Sequence, residues 1–133
     1  MSTLPEKELI SFTPIGHVEN VFDHTASPDT IKAVESKIVL SPHLVPGLTG
    51  LKVGGRVMVI FHFDRSDNTY ELLQHPRGDT GRPKRGVFAL CSPRRPNLIG
   101  VTVVDLVAVD DNVLRVRNLD AINGTPVLDL KPA

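Results

Sequence analysis

Tryptophan is absent from this 133-residue chain, tyrosine occurs once and phenylalanine five times. The core of such a sequence has to be aliphatic, and its Val-rich runs favour strands over helices. Cysteine also occurs once, as Cys91. That excludes an internal disulfide and a multi-cysteine zinc site, and it fits a reducing compartment. Neither charge sign is in excess, with 15 basic and 15 acidic residues, so bulk electrostatic attraction to nucleic acid has no support from the total. No apolar run approaches the ~20 residues needed to cross a bilayer. Met1 to Leu9 carry Glu6, Lys7 and Glu8 where a secretory signal needs apolar residues. Gly47, Gly50, Gly54 and Gly55 do not make G-x-G-x-x-G, and there is no P-loop, which argues against a Rossmann fold. His17, His24, His43, His62 and His75 form no H-x-x-x-H or H-E-x-x-H pair, so no metal is expected. His62, on a strand among apolar neighbours, reads as a hydrogen-bonded structural residue. The absences leave a cytoplasmic protein that neither crosses a membrane nor depends on a metal.

What is present suits one domain, residues 1–133, with a hydrophobic share of 41%. Phe12 to Val18 reads as a first strand, with Pro14 at an edge or bulge. Ser27-Pro28-Asp29 and the stretch from Thr30 to Ser36 suit a short capped helical turn. Lys37 to Leu40 returns to β character, and Ser41 to Gly55 reads as a Pro- and Gly-rich loop. Arg56 to Phe63 and Val101 to Val109 are apolar on both faces, the latter interrupted by Asp105. One apolar face is explained by a core. A second needs its own cover (a helix, a loop or another subunit), and a homodimer is the preferred explanation. Asp110-Asp111-Asn112 makes a tight hairpin into a strand at Val113 to Arg117. Asn123-Gly124 signals a turn before a last strand at Val127 to Leu130. Six to eight short strands separated by frequent turns predict a mostly β fold, a small closed or partly open antiparallel β-barrel with short helical turns.

Charge is unevenly placed. Arg77, Arg82, Lys84, Arg85, Arg94 and Arg95 lie between His75 and Arg95, opposed only by Asp79. A basic stripe of this kind suits phosphate contacts, and Asn97 beside it could read a base edge. Three segments combine Pro and Gly with charged residues: His75 to Asp79, Gly86 to Gly100, and Asp120 to Pro132. Each alone is ordinary turn chemistry. Three rigid polar loops in one small chain point to a site, because scaffolds carry function on such loops.

The same segments carry a family resemblance. Gly86 to Ala89 (as GVFA), Arg94-Arg95-Pro96-Asn97 followed by Ile99-Gly100, and Asn123 to Pro132 (as NGTPVLDLKP) resemble the hallmark motifs of the TsaA-like, or TrmO, methyltransferases, which read GVFATRS, RPNPIG and DGTPVLDIKPY. His75 to Asp79 and Phe63 to Asp67 resemble flanking elements. The resemblance runs over roughly residues 12–132 and is densest in the last half. It implies a compact β-barrel that binds S-adenosylmethionine outside any Rossmann fold, often as a dimer, and methylates threonylcarbamoyl-adenosine beside the tRNA anticodon. By the same resemblance the cofactor contacts fall on Asp64 and Arg65, Cys91, Val101, and Asn123, Gly124, Thr125 and Pro126. The chain departs from the motifs where Cys91 replaces an arginine, Asp64 a histidine, Leu98 a proline and Ala133 a tyrosine.

Methyl transfer from a sulfonium is an in-line displacement, so positioning dominates. A ureido-type nitrogen must also lose a proton, and His75, Asp79 and Asp129 are the candidate bases. Arg77, Arg82, Arg94, Arg95 and Asn97 are the candidate contacts to tRNA. Two other readings stay open. One is a methyltransferase of this fold acting on a small molecule or another RNA. The other is a non-catalytic barrel that binds the cofactor.

Overall fold

The computed structural model describes residues 9–22, 34–66 and 69–133. Eight strands follow one another: β1 (Gly16–Glu19), β2 (Ser36–Leu40), β3 (Arg56–His62), β4 (Leu73–Gln74), β5 (Arg85–Gly86), β6 (Ile99–Asp110), β7 (Val113–Arg117) and β8 (Pro126–Pro132). Six of them close an antiparallel barrel in the order β1-β2-β7-β6-β3-β8, with β8 paired back to β1. β4 and β5 form a separate two-stranded ribbon inside the long excursion between β3 and β6. The barrel predicted from strand spacing is therefore present and fully closed.

Alternation explains which side chains fill it. On β3, Val57, Val59 and Phe61 are buried while Met58, Ile60 and His62 stay partly exposed. β2 contributes Ile38 and Leu40, β6 Val104 and Leu106, β7 Leu114 and Val116, and β8 Val127. Phe61 is the one aromatic residue in this buried cluster, so the core is aliphatic, as the composition requires. Gly16 and Gly100 mark close approaches. A β-carbon on Gly16 would meet the Val39 carbonyl, and one on Gly100 would stand 2.6 Å from the Phe61 ring.

The structure adjusts several boundaries. The first strand starts at Gly16, not Phe12, and Pro14 sits ahead of it. Pro42–Leu48 within the expected loop forms a 3-10 turn. The helical turn expected from Ser27 onward lies almost wholly outside the described residues, and its last residue, Ser36, opens β2. Asp105 interrupts its apolar strand because it faces outward, opposite Arg56 and Arg117, and accepts a hydrogen bond from Asn118. The second apolar face is real. Ile99, Val101 and Val103 are 41%, 53% and 39% exposed, and they lie beside His62, Ile60 and Met58 on β3.

Candidate cofactor cleft and basic lobe

β6 is long enough to serve two partners. Its residues from Ile99 to Asp105 pair with β3, whereas its pairing with β7 begins only at Asp105. The other edge of its first half therefore has no strand beside it among the described residues. Alternate backbone N–H and C=O groups on that edge remain available to a ligand. A cleft opens there, lined by Phe61, Phe63, Leu90, Cys91, Arg95, Ile99, Gly100, Val101, Thr102 and Asp120. The Phe61 and Phe63 rings meet edge to face with centroids 5.2 Å apart, which gives the cleft an aromatic wall that Gly100 leaves room for.

Two predicted cofactor residues, Cys91 and Val101, line this cleft. Arg65 and the Asn123-Gly124 turn are not among its lining residues. Phe63 and Asp120 belong to the cleft, and Arg65 and Gly124 follow them closely in the chain. The Arg65 guanidinium nitrogen Nη2 is 3.6 Å from where a β-carbon on Gly124 would stand. Gly124 itself has φ +86°, a conformation that side-chain-bearing residues avoid. Asp64 sits exposed on the turn after β3, its N–H bound to the His62 carbonyl.

The turn is held from the far end of the sequence. Asn123 accepts a hydrogen bond from the Asn20 N–H through its side-chain oxygen. The Asn20 carboxamide nitrogen donates to the Ala121 carbonyl and to Ser36 Oγ. Gly124 N–H donates to the Val18 carbonyl, and Val18 N–H to the Thr125 carbonyl. Thr125 is buried, and Pro126 opens β8. Asn123 thus spends its carbonyl oxygen on the fold. Asn20 is the residue that sequence reasoning missed, and its position after a short strand carried no motif that could have revealed it. Phe61, Phe63, Leu90, Thr102 and Asp120 were missed likewise, because a cleft wall assembled from four separate segments has no linear signature.

The predicted bases separate. His75 and Asp79 flank the 3-10 turn Pro76–Gly78, where Arg77 has φ 53°. His75 Nδ1 is 2.8 Å from the Arg82 carbonyl. A carbonyl only accepts, so Nδ1 is the donor and Nε2 is the ring nitrogen left for another partner. Asp79 accepts from the Gly81 N–H. Asp129 lies instead on β8, exposed, with Lys131 Nζ 4.0 Å away. It lines a second hollow with Ile15, Leu40, Leu44, Gly47, Leu48 and Leu130, not the cleft that holds Cys91. His62 is partly buried and makes no side-chain hydrogen bond among the described residues, which corrects its expected role as a hydrogen-bonded structural residue.

The arginines separate as well. Arg95 turns inward: its guanidinium Nη1 donates to the carbonyls of Leu90 (3.0 Å) and Ser92 (3.2 Å), bracing the segment that presents Cys91 to the cleft. Among the described residues, the side chains of Arg77, Arg82, Lys84, Arg85 and Arg94 make no hydrogen bond or ion pair. All five residues are exposed. Gln74 ties the lobe together by donating to the carbonyls of Glu71 and Arg94. Asn97 is exposed at the end of this lobe. No group of three His, Cys, Asp or Glu side chains converges among the described residues. No helix among them is long and apolar enough to cross a membrane.

A family model described as the tRNA-methyltransferase O N-terminal domain matches residues 17–133. The chain belongs to this family. A probable S-adenosyl-L-methionine-binding protein of Pyrococcus abyssi is 35% identical over 128 residues, covering 93% of this chain and 68% of that protein. The rat tRNA (adenine(37)-N6)-methyltransferase is 39% identical over 87 residues, covering 64% of this chain and 20% of that one. A crystal structure of TrmO from Pseudomonas aeruginosa superposes with a TM-score of 0.71 at 29% identity, covering 94% of this chain and 56% of that one. The chain thus spans little more than half of the solved TrmO chain.

Proposed function

We propose that this member of the TrmO family is an S-adenosylmethionine-dependent methyltransferase that acts on tRNA, on threonylcarbamoyl-adenosine beside the anticodon. The observation that carries the reading is the cleft that gathers Cys91 and Val101 against an open strand edge. Its chemistry suits the cofactor. The rings of Phe61 and Phe63 with Leu90 and Ile99 offer apolar surface to an adenine, and the strand edge offers donors and acceptors to its polar rim. Gly124 lets the turn approach a ligand without a side chain intervening.

When bound, S-adenosylmethionine supplies a methyl group on a positively charged sulfur. The chain's own work is to hold the acceptor in line behind that group and keep water out. His75 is the base we favour over Asp79 and Asp129, because its Nε2 lone pair faces away from the Arg82 carbonyl that fixes the ring. Arg77, Arg82, Arg94 and Asn97 are contacts to tRNA. Arg95 serves the cleft in preference to the phosphates.

A homodimer completes this reading. The cleft measures about 180 Å³, below the ~300–1,000 Å³ of ordinary small-molecule pockets. Ile99 and Val101 belong both to its wall and to the exposed apolar face. A second copy docked on that face would extend the wall and enclose the ligand.

Calorimetric titration with S-adenosylmethionine, followed by transfer of labelled methyl to tRNA carrying the threonylcarbamoyl group, tests the reading. Saturable binding and label in tRNA are expected. Folded protein that binds no cofactor would overturn it. Binding of cofactor without transfer to tRNA would move the substrate to a small molecule or another RNA.

A further inference from the structure

Phe88 is 79% exposed, yet it is rigidly mounted. It occupies the middle of the 3-10 turn Val87–Ala89, next to the buried Val87. Val87 N–H donates to the Leu72 carbonyl at 2.8 Å, and Leu90 N–H closes the turn onto the Val87 carbonyl. The ribbon of β4 and β5 fixes this turn on one side, since Leu73 pairs with Gly86 and Gln74 with Arg85. The Gln74 bond to the Arg94 carbonyl brings the following segment back against it. A ring held out in water by a braced turn leaves its apolar surface unspent, and the barrel core offers it no place.

The surroundings say what would cover it. Arg82, Lys84, Arg85, Arg94 and Arg77 share the lobe, none with an intramolecular partner among the described residues. A flat apolar ring on a lobe that also carries unpaired cations fits a ligand that is aromatic and anionic at once, with the charge on a flexible backbone. A second copy of the chain fits poorly. Self-complementary docking on this lobe would bring two sets of the same cations together. A duplex fits poorly too, because its base faces are already stacked.

We propose that Phe88 is a stacking platform for an unpaired RNA base, with Arg85 and Arg94 holding the phosphates on either side of it. The inference rests on the tRNA reading above and deepens it, since it selects a single-stranded loop as the part of the RNA that this lobe grips. Stacking on an aromatic ring tolerates any base, so Phe88 supplies affinity for the loop and leaves the choice of nucleotide to the cleft.

The test compares a fluorescently labelled anticodon stem–loop with a blunt RNA duplex, titrated with the wild-type protein and with Phe88→Ala, Phe88→Tyr and Arg94→Ala at two salt concentrations. Phe88→Ala is expected to weaken stem–loop binding about 5- to 150-fold and to leave duplex binding, salt dependence and S-adenosylmethionine affinity unchanged. Phe88→Tyr should retain stem–loop binding. Arg94→Ala should flatten the salt dependence by about one counterion without altering cofactor affinity. Stem–loop binding by Phe88→Ala equal to wild type overturns the proposal while the tRNA reading stands. A wild-type protein that binds neither RNA removes the tRNA reading itself. Dissociation of a dimer by Phe88→Ala would reassign the surface to contact between copies and also overturn the proposal.

Discussion

At the scale of single residues, the side chains that resemble one another in sequence divide into different tasks. Arg94 and Arg95 are neighbours, but only Arg95 is used internally, on the carbonyls of Leu90 and Ser92. Arg95→Ala should cost about 1.5–3 kcal/mol in folding stability, the range for hydrogen bonds to a charged group, and weaken S-adenosylmethionine binding. Arg95→Lys keeps the charge but loses the planar fork, so it should not restore cofactor affinity. Full recovery in a calorimetric titration would show that charge alone matters. Gly124→Ala should lose roughly 1–2 kcal/mol for the left-handed backbone, read as a lowered denaturation midpoint, while the added β-carbon makes only an ordinary contact with Arg65. His75→Gln should lower kcat about 10²- to 10⁴-fold, the ordinary contribution of a general base, with cofactor affinity retained. A parallel loss of affinity would place His75 in binding instead of proton transfer.

At the scale of elements, strand β6 decides the architecture. Its first half leans on β3, its second on β7, and a register shift between Leu106 and Ala108 lets it turn from one to the other. The resulting open edge makes the cleft, and the outward Ile99, Val101 and Val103 make the exposed face. Val101→Lys should leave the barrel folded, because the side chain points away from the core, and should convert a dimer to monomer in analytical ultracentrifugation. An unchanged sedimentation coefficient in a protein that was dimeric would exclude this face as the contact. Strands of this kind were legible in the sequence as Val-rich apolar runs or, at Val113–Arg117, as clean alternation. Val113–Arg117 falls on the predicted residues, and β3 and β6 lie within two residues of theirs. The start of β1 was not, because Phe12 and Pro14 have strand character or edge character without a partner beside them. The candidate site was legible only in pieces. Residues carrying motifs, such as Cys91 and Gly124, could be named. Asn20, which clamps Asn123, and Asp120, which closes the cleft, could not, since their roles arise from contacts across the barrel.

At the scale of the whole molecule, the neutral total charge conceals a division of labour. The barrel carries the aliphatic core, and the excursion between β3 and β6 carries the whole basic stripe. The cleft is lined by β3, β6 and the loop before β8 together, so a ligand bound there would act on the closed barrel as one unit. Saturating S-adenosylmethionine at about 100 times its Kd should add about 2.7 kcal/mol to unfolding, visible as a rise of several degrees in Tm. Absence of any shift, in protein that binds by calorimetry, would mean that the ligand also holds the unfolded chain.

The hydrogen bond from Asn20 to Asn123 joins residues 103 positions apart, and the same neighbourhood seals β1 against β8. A growing polypeptide emerges from the ribosome in sequence order, so β1 waits until β8 has emerged before its second edge is paired. The early strands leave with apolar side chains and open edges exposed, and long-range pairing of this kind closes slowly. The Asn123-Gly124 turn therefore takes shape only after the whole stretch between β1 and β8 has been made. Nascent chains that stop before Asn123 have neither clamp nor barrel to protect them, and are natural prey for proteases and chaperones.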